Sequence, residues 1–68
     1  MTIDLMLQFK DLLDKANEAH IEHPALSLHF KQAIFVKIEL EFNRGYLSAD
    51  EKASLIAALD NIYPDGSI

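Results

Sequence analysis

The stretch between Pro24 and Gly45 most constrains the fold of this chain. It runs for twenty residues without glycine or proline, and seven of the ten side chains in 33–42 are apolar. Within 36–42, apolar and charged residues alternate with the period of a β-strand. Twenty residues are far longer than a usual strand, and they suit a helix about 30 Å long. We therefore predict a helix over 25–44 and keep a strand over 36–42 as the alternative.

Two further helices are predicted on either side of this stretch. Thr2 is a suitable N-cap for a helix over 3–20, and the residue before Pro24 is driven away from helical geometry, which ends that helix. Gly45 is expected to cap the second helix. Ser48 and Glu51 form a capping-box pattern that opens a third helix over 49–63, and a β-turn is predicted over 63–66. Apolar residues recur with helical spacing in the two outer helices: Leu5, Phe9, Leu12, Leu13, Ala16, Leu55, Ile56, Leu59, Ile62 and Tyr63.

The length and the absence of cysteine limit how such a chain gains stability. A chain of 68 residues buries only about 60% of the surface that its unfolded form exposes. Because there is no cysteine, disulfides and thiolate metal sites are excluded. Small proteins in this position rely on close packing, a metal or self-association. We predict one all-α, three-helix domain spanning 1–68 that forms a homodimer.

The second helix has apolar residues on two sides. The first stripe contains Leu28, Ile34, Phe35, Ile38 and Phe42, and the second stripe contains His29, Ala33, Val36 and Leu40. A helix that is apolar on two sides is buried on two sides. Either it is the middle helix of the domain, or one stripe faces a second copy or another protein, and the sequence leaves open which stripe is external. Large aromatic residues are frequent interface anchors, and we predict dimer or partner contacts for Phe30, Ile34, Phe35, Ile38, Phe42 and Tyr46.

Three histidines, His20, His23 and His29, lie close together in the sequence around Pro24. Zinc needs three or four converging ligands, and Pro24 interrupts the helix that would align His20 with His23. No "HExxH" pattern is present. We expect solvated histidines without a metal or cofactor, and a histidine metal site remains the alternative.

Several functional classes are disfavoured by composition. The sequence has no glycine-rich phosphate loop and no "GxSxG" motif, so we expect no enzymatic activity and no catalytic residues. The formal net charge of −5, with only six basic residues, disfavours binding to nucleic acid. No apolar run approaches the roughly 18 residues that span a bilayer, and Asp4 stands where a secretory signal carries positive charge. We expect a cytoplasmic protein that binds neither nucleic acid nor a membrane.

A protein-binding role is the interpretation that remains. We predict a small acidic helical protein that binds another protein and inhibits or modulates it, as bacterial and phage antagonists and anti-activators do. The alternative is a small chaperone or assembly subunit for a partner polypeptide, such as a secretion component. The identity of the target, and whether the effect is inhibitory or activating, are not encoded in any motif of the chain.

Overall fold

A computed structural model describes residues 1–64 and contains three helices: α1 (Ile3–Glu22), α2 (Pro24–Asn43) and α3 (Ala49–Ile62). The all-α prediction is confirmed, and no strand occurs within 1–64. The strand alternative for 36–42 is wrong, because that segment continues α2. The predicted β-turn over 63–66 extends beyond the described residues.

One residue, His23, separates α1 from α2. Its amide donates to the carbonyl of Ala19 at 2.7 Å, and its own carbonyl accepts from Leu26 and Ser27. His23 has φ −139° and ψ 70°, which is outside the helical region that a following proline disfavours. Pro24 occupies the first helical position, where its missing N–H removes no bond. For this reason α1 runs to Glu22, two residues further than predicted, and α2 begins one residue earlier.

The starts of α1 and α3 and the end of α2 use the predicted capping groups. Thr2 Oγ1 accepts from the Leu5 amide at 3.1 Å. Gly45 has a φ of 84°, its amide donates to Phe42, and the Tyr46 amide donates to Glu41. This pair of bonds is a Schellman motif, which needs a left-handed residue at its turn. These local bonds account for where the chain turns.

The capping box of α3 is complete. Glu51 N donates to Ser48 Oγ at 3.1 Å, and Ser48 N donates to Glu51 Oε1 at 2.9 Å. The Ser48 amide lowers the pKa of Glu51, and the Met1 amino group, 3.0 Å from Glu51 Oε2, lowers it further. The charged carboxylate is therefore favoured at the start of α3.

The helices run antiparallel along the chain, and α3 packs against both α1 and α2. The hydroxyl of Tyr63, at the end of α3, donates to the Ser27 carbonyl at 2.7 Å near the start of α2. Lys52, at the start of α3, lies 3.0 Å from Glu39 near the end of α2. The core between the helices is formed by Leu5, Phe9, Ala16, Ile34, Ile38, Leu47, Leu59 and Tyr63.

Candidate protein-interaction surface

The two apolar stripes of α2 have different environments. Ile34 and Ile38 of the first stripe are 1% and 0% exposed, because α1 and α3 pack on this side of the helix. Val36 and Leu40 of the second stripe are 62% and 45% exposed. His29 and Ala33 of that stripe are exposed as well. Within residues 1–64, the second stripe is thus the external one.

The predicted interface residues differ in how exposed they are. Ile34 and Ile38 fill the core and present no surface to a partner. Phe30 and Phe42 are half-buried and pack against the same core. Of the predicted set Phe30, Ile34, Phe35, Ile38, Phe42 and Tyr46, only Phe35 and Tyr46 are exposed. The intramolecular core uses most of the first stripe, so the exposed apolar surface of α2 lies on the opposite side.

Sequence reasoning identified the second stripe but assigned no contact to Val36 or Leu40. The sequence feature that could have shown which stripe is buried is the size of the side chains. The first stripe holds two isoleucines, two phenylalanines and a leucine, whereas the second holds a histidine, an alanine, a valine and a leucine. Burying the larger apolar area gives the larger gain in free energy, so the bulkier stripe turns inward.

The inner side of α2 also holds polar residues that ordinarily face water. Ser27, Lys31 and Glu41 are all buried. The Ser27 hydroxyl donates to the Pro24 carbonyl at 2.8 Å, and Lys31 Nζ lies 5.1 Å from the centre of the Tyr63 ring. Buried polar groups need such partners, and no buried side-chain nitrogen or oxygen lacks a hydrogen bond in the described part of the chain. On α2, therefore, most of Lys31 and Glu41 is covered by the fold while Val36 and Leu40 face solvent.

Phe35 borders a groove beside the second stripe. The groove has a volume of about 280 Å³, and α2 contributes Lys31, Gln32, Phe35 and Val36 to its lining. Phe35 is 45% exposed, so half of its ring is accessible at the rim. Val36 belongs to both the groove and the second stripe, which makes the two apolar areas continuous.

Opposite charges flank the second stripe. Lys37 lies on the side of α1, where its Nζ is 5.6 Å from the centre of the Phe9 ring. Glu39 lies on the side of α3, paired with Lys52. Arg44, beyond the stripe, has its Nη1 3.3 Å from Glu41 Oε1. The second stripe is therefore an apolar ridge with a different charge on each edge.

The histidines do not converge. His20 packs edge-on against Tyr63, with ring centres 4.9 Å apart, whereas His23 and His29 are exposed. Across residues 1–64, no group of three histidines or acids is placed to hold a metal ion.

His20 Nδ1 lies 3.4 Å from Ser27 Oγ, an arrangement that resembles a base beside a nucleophile. Ser27 is 1% exposed, and its hydroxyl proton is already donated to Pro24. No substrate reaches this oxygen in the folded chain. The pair instead ties the end of α1 to the start of α2 and supports the ring of Tyr63.

The surface is therefore an apolar stripe and groove on the outer side of α2. Among the helices of residues 1–64, none is long and apolar enough to cross a membrane. Comparison with known protein families, with curated proteins and with solved structures finds no match for this chain.

Proposed function

We propose that this protein acts by binding another protein through the outer side of α2 and modulates that protein by covering part of its surface. The observation that carries the proposal is the exposure of Val36 and Leu40 on a helix whose buried side accommodates Lys31 and Glu41. Water contact with this stripe costs free energy that a partner would recover on binding. Continuous exposed apolar patches commonly mark protein-binding sites.

The mechanism is occlusion. The apolar stripe and Phe35 provide the contact area, and the acidic surface of the chain, with a net charge of −5, speeds association with a basic target. Inhibition follows when the covered surface is one that the target needs for its own contacts. We place the protein in the cytoplasm and propose that it forms a homodimer.

A chaperone or assembly subunit is the second candidate. A separate apolar area at the start of α1 favours it, since Ile3, Met6 and Leu7 are all about half exposed or more. A partner polypeptide that wraps the chain would cover this area together with α2. Such a protein is expected to aggregate alone and to be well behaved when co-expressed with its partner.

The test is a matched pair of substitutions. Val36→Asp places a charge in the second stripe, and Ile3→Asp makes a similar change at a site that is 71% exposed at the start of α1. Both variants should keep their helical circular dichroism, because neither side chain belongs to the core. Affinity capture from lysate of the source cell or its host, read by mass spectrometry, should enrich one protein with wild type and Ile3→Asp but not with Val36→Asp.

Two other outcomes of the capture are informative. Loss of the captured protein in both variants would assign binding to α1 as well and would favour the chaperone. Equal capture by wild type and Val36→Asp would exclude α2 as the contact surface.

A further inference from the structure

The outer side of α2 has a spacing that the apolar stripe alone does not explain. Six exposed residues follow one another at alternating intervals of three and four positions: Leu26, His29, Ala33, Val36, Leu40 and Asn43. We call these six residues the seam. This alternation is the pattern of a two-helix coiled coil, where such positions pack between facing helices. This spacing extends over nearly the whole length of α2.

We infer that the seam binds the seam of a second copy of this chain, with the two α2 helices parallel and in register. The inference rests on the proposed function, because it uses the same side of α2, and it specifies the first occupant of that surface. A target protein would then compete with the second copy for the seam.

The order of residues in the seam favours the parallel arrangement. In a parallel pair in register, each seam residue packs against the same residue of the other copy. Leucine therefore faces leucine at 26 and 40, valine faces valine at 36, and the polar residues His29 and Asn43 face a second histidine and a second asparagine. Paired asparagines can satisfy each other by hydrogen bonding. An antiparallel arrangement of full length would set Leu26 against Asn43 and His29 against Leu40 at both ends. Those contacts would remove polar groups from water without a partner.

The flanking charges agree with the same arrangement. In parallel coiled coils, a residue on one edge meets the residue five positions further on in the other helix. Glu39 is followed by Arg44 at that interval, and Gln32 by Lys37. Both Glu39 and Arg44 are at least a third exposed at their side chains, and in the dimer they would exchange their pairing with Lys52 and Glu41 for a contact with each other. In the antiparallel arrangement Arg44 would lie opposite residue 25 of the partner and would not meet Glu39.

The geometry also limits the strength of the dimer. Eighteen residues of α2 give a seam about 26 Å long, and only four of its six side chains are apolar. We expect dissociation constants in the micromolar range, about −8 kcal/mol on the standard scale. A dimer of this strength can exchange its second copy for a target.

The absence of cysteine from the chain allows a direct test of orientation. Asn43→Cys places a single thiol at one end of the seam, and Asn17→Cys makes the same change on the exposed surface of α1 as a control. Each variant would be equilibrated in a glutathione redox buffer at high micromolar concentration. A parallel pair brings the two Asn43→Cys thiols within disulfide distance, whereas an antiparallel pair holds them about 26 Å apart.

We expect disulfide-linked dimer from Asn43→Cys and monomer from Asn17→Cys. A mixture of Leu26→Cys and Asn43→Cys should give no mixed dimer. Sedimentation equilibrium of the cysteine-free wild type should show a dimer that forms as the protein concentration rises. Val36→Asp should remain monomeric to concentrations at least tenfold above the midpoint of dimer formation by wild type. A mixed 26–43 disulfide as the main product would overturn the parallel arrangement. A wild type that stays monomeric at high micromolar concentration would overturn self-association altogether.

The experiments distinguish a failure of the dimer from a failure of partner binding. A monomeric wild type that still captures a protein lost by Val36→Asp would leave partner binding in place and remove only the dimer. A parallel dimer that captures nothing but its own copies would support the dimer and remove the modulating role.

Discussion

A comparison of Ile38→Ala with Val36→Ala tests the assignment of the two stripes. The positions lie two residues apart on α2, and their exposed fractions are 0% and 62%. Truncating a buried isoleucine to alanine costs about 2–5 kcal/mol, because both the transfer free energy and the cavity contribute. Truncating an exposed valine forfeits little burial and gains up to about 0.5 kcal/mol of helix propensity. At concentrations where the chain is monomeric, Val36→Ala should leave the free energy of unfolding unchanged or slightly raised.

The size of the expected difference makes the experiment decisive. A chain of 68 residues has an unfolding free energy of about 3–10 kcal/mol at the usual value per residue. Ile38→Ala should therefore remove a large part of it and lower the urea midpoint markedly. Urea titration followed by far-UV circular dichroism at low micromolar concentration measures both variants. If Val36→Ala loses as much stability as Ile38→Ala under these conditions, the second stripe is buried within the monomer and the proposed surface does not exist.

Concentration adds a second measurement. A folded dimer that dissociates on unfolding becomes more stable as its concentration rises. Wild type should therefore gain stability between low and high micromolar concentration. Val36→Ala should gain less, because it removes apolar contact area from the seam. A stability of wild type that does not depend on concentration would contradict the dimer while leaving the stripe assignment intact.

Two further contacts within the monomer can be tested by substitution. Tyr63→Phe removes the hydroxyl that donates to the Ser27 carbonyl and should cost about 1 kcal/mol in urea unfolding. The control Tyr46→Phe, at an exposed tyrosine, should change stability by less than about 0.5 kcal/mol. Equal effects of the two substitutions would contradict the buried hydrogen bond. The pKa of Glu51 is lowered from its ordinary value of 4.5, so its contribution to stability is present above that value and is lost as the pH falls through the lower pKa of the folded chain. Glu51→Gln keeps a side chain able to accept a hydrogen bond from the Ser48 amide but cannot titrate. Its stability, measured by thermal unfolding across acidic pH, should therefore fall less steeply than that of wild type below pH 4.5. Identical slopes of stability against pH would refute the role of this carboxylate.

Much of the secondary structure follows from short-range signals. Thr2, Ser48 and Glu51 provide caps whose bonds join residues only three positions apart. Gly45 is needed where the chain takes a positive φ. Such contacts form within one turn and are therefore visible in the sequence. The end of α1 was misplaced by two residues because a single residue, His23, suffices to separate two helices when proline follows it.

The candidate surface was harder to predict for a physical reason. The sequence shows that α2 is apolar on two sides, but the choice of the buried side depends on where α1 and α3 pack. Aromatic content suggested Ile34, Phe35, Ile38 and their neighbours as contacts, and burial removes the two isoleucines from that set. Nothing in the sequence brings Lys31 to the ring of Tyr63, which stands 32 positions later in the chain and lies beside it in the fold.

The sequence by itself predicted the three helices, identified the caps at Thr2, Gly45 and Ser48, and showed that disulfides contribute nothing to stability. These properties depend on neighbouring residues and on composition, so no long-range information is needed. Only the tertiary structure decided that Ile34 and Ile38 face inward while Val36 and Leu40 face solvent. That choice is made by packing between segments distant in the chain, because the bulkier stripe gains more free energy when α1 and α3 cover it.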